Sequence, residues 1–287
     1  MTTSPSSSIN KIAVSSRVFC ILGDNRVLHS KAPLMYSKVM EHAGIDGVCV
    51  PFEVMQGKIG EALNSLRVLN ISGANITIPY KEAVIPYLEQ ISEGANIVGA
   101  INTVIIKNNK LKGYNSNAIG FMHTIEEAGF DPHDKSAIVF GSGGVAMAAV
   151  FMLNWLRIKR IYISSANLVK SEEIAKRIAG EVLPIEDLLK RPLPVNIMIN
   201  ASPVSGVEEQ PEYAEIISKL DIPECSLIVD FNYGRKRNFY QEKAESDNIK
   251  FVNGLTNLSH QARSTLSLWT GVDVPASTFR EVLDNIL

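Results

Sequence analysis

The 287-residue sequence is poor in cysteine, with three, and in tryptophan, with two. Cys20, Cys49 and Cys225 are odd in number and widely spaced. That excludes a disulfide framework and predicts reduced, buried thiols in a cytoplasmic protein. The five histidines, at 29, 42, 123, 133 and 260, include no pair at metal-ligand spacing, so no metal is expected. Charge of one sign is also lacking. Lys plus Arg number 28 and Asp plus Glu 30, a formal net charge of −2. Nothing there calls for a nucleic-acid partner. No apolar run approaches the ~20 residues of a membrane span. The start, "MTTSPSSSIN", has no basic flank and no apolar core, and reads as a polar tail instead of a secretory signal. Internal repeats and heptads are absent.

What is present is alternation. "RVFCILG" (17–23) reads as a buried strand, "LMYSKVMEHAG" as a helix stopped by Gly44, and "DGVCVPFEV" as a second strand. "MQGKIGEALNSLRVLN" follows as a helix and "ISGANITIP" as a third strand. The spacing in "YKEAVIPYLEQIS" predicts a further helix, kinked or broken at Pro86. "VGAINTVIIKNNKLKGYNSN" reads as a hairpin about "KNNK". This pattern predicts an α/β domain with a mostly parallel sheet over 1–117. A helix at 117–128 is expected to link it to a second unit, 118–257. There "SAIVF", "RIYIS", "VNIMIN", "SLIVD" and "IKFV" read as buried strands around a glycine turn, the pattern of a doubly wound nucleotide-binding domain. The tail from about 258 reads as helical, broken around Gly271–Pro275.

The glycine turn "FGSGGVAM" lies between a strand and an apolar helix, the context that gives such a motif meaning. Gly141 permits the turn and Gly143 lets backbone approach a pyrophosphate. Ser142, Gly144 and Val145 complete the loop, and Ala146 takes the slot of the motif's third small residue. An Asp or Glu at the end of the next strand would favour NAD, and an Arg would pair with the extra phosphate of NADP. "ISSANLVK" has neither, only Ser164, Ser165 and Asn167. The cofactor choice stays open between NAD and NADP, with a lean to NAD because no guanidinium is there.

Polar clusters fall at predicted strand ends: "HSKAP", "NITIPYK", "AINT" and "YNSN". Taken with "GAINTV", "GYNSNAIGF", "FGSGGVA", "INASPVSG", "DFNY" and "GLTNLSHQARSTLSLWTG", they occur in the order found in the shikimate and quinate dehydrogenase family, which the chain resembles over nearly its whole length. The resemblance implies an N-terminal α/β substrate domain and a C-terminal Rossmann-type doubly wound domain. Residues 258–287 would pack back on the first. It implies NAD(P)-dependent oxidation of shikimate or quinate, or reduction of the 3-dehydro acid, by a monomer or homodimer. Lys81 then matches the catalytic lysine. Ser30, Thr77, Asn102, Gln261 and Tyr233 match substrate-side positions. Asn200, Ser202 and Gly254 join the glycine loop, Ser164 and Ser165 as cofactor-side positions.

Three departures stand out. Ala32 replaces a carboxylate-binding hydroxyl, "SSAN" lacks the arginine of NADP-dependent members, and Asn117 replaces the catalytic Asp. An Asp would hold Lys81 as ammonium, because an opposite charge nearby raises a lysine pKa. With Asn117 there, partial burial lowers it instead, so Lys81 is expected to act alone as acid and base with reduced activity. The alternative is a family member impaired in catalysis that serves as a ligand-binding or sensor protein.

Overall fold

The computed structural model describes residues 15–286; the polar stretch at 1–10 lies outside them. The first half comprises β1 (Arg17–Gly23), α1 (Ala32–His42), β2 (Gly47–Glu53), α2 (Ile59–Val68), β3 (Gly73–Ile76), β4 (Gln90–Ile91), α3 (Glu93–Val98), β5 (Thr103–Lys107) and β6 (Lys110–Tyr114). Its sheet runs β2-β1-β3-β5-β6-β4. β1 pairs in parallel with β2 and β3, whereas the β5–β6 hairpin joins β3 antiparallel. The chain leaves β1 to one side and returns as β3 on the other. A crevice therefore opens at the carboxyl ends of β1 and β3.

One predicted helix does not form. Over 80–91 the chain makes turns, a single 3-10 turn at Ile85–Tyr87, and then β4. Pro79 and Pro86 leave too short a stretch between them to propagate an α-helix. Tyr80 and Val84, whose spacing mimics a helical face, are instead buried from turns in one core with Leu22, Val54 and Ile76, and the Tyr80 hydroxyl donates to Val54 O at 2.6 Å. Lys81 thus sits in a turn. α3, short and capped by the Ser92 side chain, follows β4 and leads into the hairpin strands.

α4 (Ser116–Glu127) links the halves. The second half contains β7 (Ser136–Phe140), α5 (Gly144–Trp155), β8 (Arg160–Ser164), α6 (Leu168–Ile178), β9 (Glu181–Val182), β10 (Ile197–Asn200), α7 (Pro211–Ser218), β11 (Leu227–Asp230), α8 (Phe239–Ser246) and β12 (Lys250–Val252). All its strand pairs are parallel, in the order β12-β11-β10-β7-β8-β9. This is the doubly wound arrangement, with its switch point between β7 and β10. The apolar runs that read as buried strands are buried: Ala137–Phe140 and Ile197–Ile199 have no exposure.

α9 (Gly254–Thr270) and α10 (Ala276–Ile286) return to the first half. Ala262, Leu266, Trp269, Phe279 and Val282 share one core with Phe19, Met35, Tyr36 and Val39. Trp269 stacks on Phe19 with ring centroids 5.0 Å apart. α9 also crosses α4 closely. A Cβ on Gly120 would lie 2.7 Å from Gln261 N, so only glycine permits that approach. All three cysteines are buried and unpaired, and burial pushes the Cys20 thiol up to about 12, which leaves it inert. Among the described residues no helix is long and apolar enough to cross a membrane, and no cluster of three or more His, Cys, Asp or Glu could hold a metal.

Candidate active site

A cavity of about 660 Å³ lies between the two sheets. The carboxyl end of β1 leads into Ser30 and Ala32, that of β3 into Thr77 and Lys81, and the start of β5 supplies Asn102. α4 adds Asn117 and α9 adds Gln261. From the second half come Val145, Tyr233 and Gly254. Lys31 and Asn75 line it too, and sequence reading gave Lys31 no role. Lys31 is an exposed cation beside Ser30; a single charged residue at a loop has no sequence mark that sets it apart from a solvated one.

Backbone contacts fix the two central side chains. Ile101 N–H donates to Lys81 O at 2.7 Å, and Ile76 N–H to Asn102 O at 2.8 Å, so the Lys81 turn is pinned to the start of β5. Asn115 caps α4, accepting from Asn117 N at 3.1 Å and Ala118 N at 3.3 Å, while its Nδ2 donates to Ala100 O at 2.9 Å. That capping loop places Asn117 in the first turn of α4. Behind it lies a buried polar network. Asn102 Nδ2 donates to Asn117 Oδ1 at 3.0 Å, and Asn102 Oδ1 accepts from Ser116 N at 2.7 Å. Gln261 Nε2 donates to Ser116 Oγ at 3.0 Å, and Ser116 Oγ meets Thr265 Oγ1 at 2.9 Å. The network ties β5, α4 and α9 together under the cavity floor. A set of satisfied buried polar groups of this kind fixes one geometry.

Lys81 is half-buried, and its ammonium has no ion-pair or hydrogen-bond partner among the described residues. Burial lowers its pKa from the ordinary lysine value. An amine that loses its proton more readily is better suited to accept one from a hydroxyl and return it.

A second cleft of about 340 Å³ adjoins the N-terminus of α5. Gly141, Ser142, Gly143, Ser164, Ser165 and Ser202 line it. Gly141 has φ +118, and a Cβ there would sit 2.8 Å from Ala201 C and O, across the β7/β10 switch point. Gly143 caps α5 without a side-chain hydrogen bond, and a Cβ on it or on Gly144 would meet nothing within 4 Å. Ser164 Oγ, fully buried, has no hydrogen-bond partner. Free helix N–H groups, open space over two glycines and an orphan hydroxyl fit an anionic dinucleotide. Ala146, fully buried, occupies the slot where the helix meets the sheet.

Two expected cofactor contacts fall outside both cavities. Gly144 is the exposed first residue of α5. Asn200 is fully buried: its Nδ2 donates to Val204 O at 2.9 Å and to Asp230 Oδ1 at 2.8 Å, and its Oδ1 accepts from Ser202 N and Oγ. With every polar atom engaged, Asn200 acts on the cleft only by shaping the Ser202 turn.

The family model for the shikimate dehydrogenase substrate binding domain matches residues 21–104. The chain is 33% identical over 266 residues to a protein of Desulforamulus reducens named shikimate dehydrogenase (NADP(+)), covering 90% of this chain and 91% of the other. Its structure is similar to that of shikimate 5-dehydrogenase from Listeria monocytogenes in complex with shikimate and NAD, with a TM-score of 0.85, 25% identity, and coverage of 95% and 98%. It is also similar to the Thermus thermophilus shikimate 5-dehydrogenase in complex with NADP(H) and shikimate, with a TM-score of 0.82, 26% identity, and coverage of 94% and 100%.

Proposed function

Since the chain belongs to the shikimate dehydrogenase family, an NAD(P)-dependent oxidoreductase family, we propose that it interconverts shikimate and 3-dehydroshikimate, or the quinate pair, in the 660 Å³ cavity. The supporting observation is the meeting of Ser30, Thr77, Lys81, Asn102, Asn117 and Gln261 in one cavity beside the N-terminus of α5. The presence of one sheet on either side of that cavity supports the domain division read from the sequence, 1–117 with 258–287 against 118–257. The bound dinucleotide would supply the acceptor or donor of hydride. The residues of the chain do the rest. Lys81 takes the hydroxyl proton during oxidation and returns it to the carbonyl oxygen during reduction. Asn117 orients that oxygen. Thr77, Asn102 and Gln261 bind ring hydroxyls, Tyr233 closes the cavity towards the second half, and Ser30 with Lys31 meets the carboxylate.

The activity test is direct: purified chain, shikimate or quinate, and NAD or NADP, with absorbance of reduced nicotinamide followed over time. Turnover above an enzyme-free control supports the reading. Calorimetric binding of the acid without turnover would make the chain a ligand-binding member of the family.

Ala32 offers a methyl group where a hydroxyl would donate to the carboxylate. A hydrogen bond to a charged group contributes roughly 1.5–3 kcal/mol. Ala32→Ser is therefore expected to lower KM for the acid about ten- to hundredfold with kcat little changed, as steady-state kinetics would show.

The second cleft supports NAD as the better cofactor. None of its lining residues is charged. Ser165 Oγ is already engaged by Ser171 Oγ at 2.9 Å and Asn167 N at 3.1 Å. A second phosphate would find no counter-ion among these lining residues. Ala166 is exposed on the rim, so Ala166→Arg places a guanidinium there without crowding the core. The variant is expected to lower KM for NADP about ten- to hundredfold while leaving that for NAD within a few-fold. An unchanged NADP/NAD ratio would remove this rim from cofactor choice.

A further inference from the structure

The two amide side chains on the cavity wall are oriented by a contact that admits only one arrangement. Ser116 N–H, a backbone donor, lies 2.7 Å from Asn102 Oδ1. A backbone N–H cannot accept, so Asn102 must point its oxygen at Ser116 and its nitrogen the other way. That nitrogen lies 3.0 Å from Asn117 Oδ1 and donates to it. Asn117 must therefore spend its oxygen on Asn102. Its remaining polar group, Nδ2, has no partner among the described residues, and Asn117 lines the cavity with Lys81. The relay from backbone to Asn102 to Asn117 thus delivers a donor where an aspartate would deliver an acceptor.

From this geometry we infer that the Lys81–Asn117 pair discriminates by oxidation state, binding the keto acid more tightly than the hydroxy acid. The inference rests on the proposed pair of ligands. A carbonyl oxygen has two lone pairs and no proton, so it accepts from the Lys81 ammonium and from Asn117 Nδ2 together. While Lys81 is an ammonium, a hydroxyl at the same place can accept from both, but its own proton then faces two donors and finds no acceptor in that pair. Leaving a buried donor unsatisfied is unfavourable, whereas both donors stay satisfied by the ketone. Asn102 is a positioning residue in this scheme: it sets which end of Asn117 is presented and does not itself bond the discriminating oxygen.

The test is calorimetric titration of the full chain, free of cofactor, with 3-dehydroshikimate and with shikimate at a pH below the Lys81 pKa, where the amine is an ammonium. The keto acid is expected to bind about tenfold or more tightly. In Asn117→Asp, one carboxylate oxygen accepts from Asn102 and the other accepts the hydroxyl proton, so the ratio is expected to fall to near one or reverse. Equal affinities in the unmodified chain, a preference for shikimate, or a ratio unmoved by Asn117→Asp would overturn the inference. If neither acid binds the cofactor-free chain the inference also fails, while turnover in the assay above would leave the proposed activity standing.

Discussion

Replacing Lys81 with methionine is expected to reduce turnover by about 10²–10⁴-fold, the range that one general acid–base group supplies. The loss should fall on kcat more than on KM, because carboxylate and ring-hydroxyl contacts remain. The other titratable side chains of the cavity wall are His29 and Lys31, just before α1 on the Ser30 wall, and Tyr233 from the second half. The same substitution should not weaken the fold. Lys81 carries its charge half-buried and without a partner, and methionine keeps the length while removing the unfavourable desolvation. Thermal unfolding of Lys81→Met is thus expected at or above the temperature of the unmodified chain. A catalytic loss without a stability loss separates the proton-transfer role from a structural one. Unchanged turnover would remove Lys81 from the mechanism.

The lowered pKa of Lys81 also fixes the direction of the pH dependence. Oxidation of the hydroxy acid needs the neutral amine, so its rate should rise with pH through the depressed pKa and then level. Reduction needs the ammonium, so its rate should fall across the same interval. In Asn117→Asp the new carboxylate stabilises the ammonium. Both limbs are then expected to move to higher pH, which pH–rate profiles of the two proteins would show. For folding, the sign runs parallel. A buried lysine whose pKa is depressed destabilises the fold most below its folded pKa. That penalty disappears as pH rises through the folded pKa towards the unfolded value.

The second large effect concerns the glycine elbow, where two neighbouring glycines are expected to respond in opposite ways. Gly141→Ala puts a Cβ 2.8 Å from the Ala201 carbonyl at a φ of +118, a backbone region that side chains rarely adopt. Strain of this kind is worth roughly 1–3 kcal/mol, and the elbow must shift to relieve the contact. Both the unfolding temperature and the affinity for dinucleotide should drop. Gly143→Ala meets no atom of the chain within 4 Å, and its backbone, at φ −88 and ψ −175, is open to any residue. It should leave stability within about ±0.5 kcal/mol, as for a surface change. Its methyl group would occupy the space over the helix N-terminus, however. Dinucleotide affinity should then fall by about tenfold or more, since even a small misplacement of a pyrophosphate removes hydrogen bonds to helix N–H groups. Calorimetric titration with NAD checks both. Unaltered affinity in Gly143→Ala would mean that the glycine turn serves packing alone.

The sequence made the second half easy to read because its strands are buried on both faces. "SAIVF", "VNIMIN" and "SLIVD" are continuous apolar runs that only a covered parallel sheet accommodates. The first half was harder. Tyr80 and Val84 have helical spacing, yet two prolines break the segment into turns, and tertiary contacts bury both side chains in the core without a helix. The helices α7 (Pro211–Ser218) and α8 (Phe239–Ser246) lie between strands and are only eight residues each, too short for a periodic pattern to mark them. At the site, residue types were legible and orientations were not. Lys81 and Asn117 could be paired from motif order, but the direction of the Asn117 amide depends on Ser116 N–H acting through Asn102, a chain of contacts with no signature in spacing. Asn200 shows the converse, a motif residue whose polar atoms all point into the protein.

Shikimate carrying deuterium at the C3 carbon, incubated with the purified chain and NAD or NADP, gives the most searching test of hydride transfer in the inter-sheet cavity. Mass spectrometry of the reduced nicotinamide is expected to show the deuterium, at a rate that falls about 10²–10⁴-fold in Lys81→Met. A nicotinamide that stays oxidised while the acid binds, or one that becomes reduced without the label, would contradict the account.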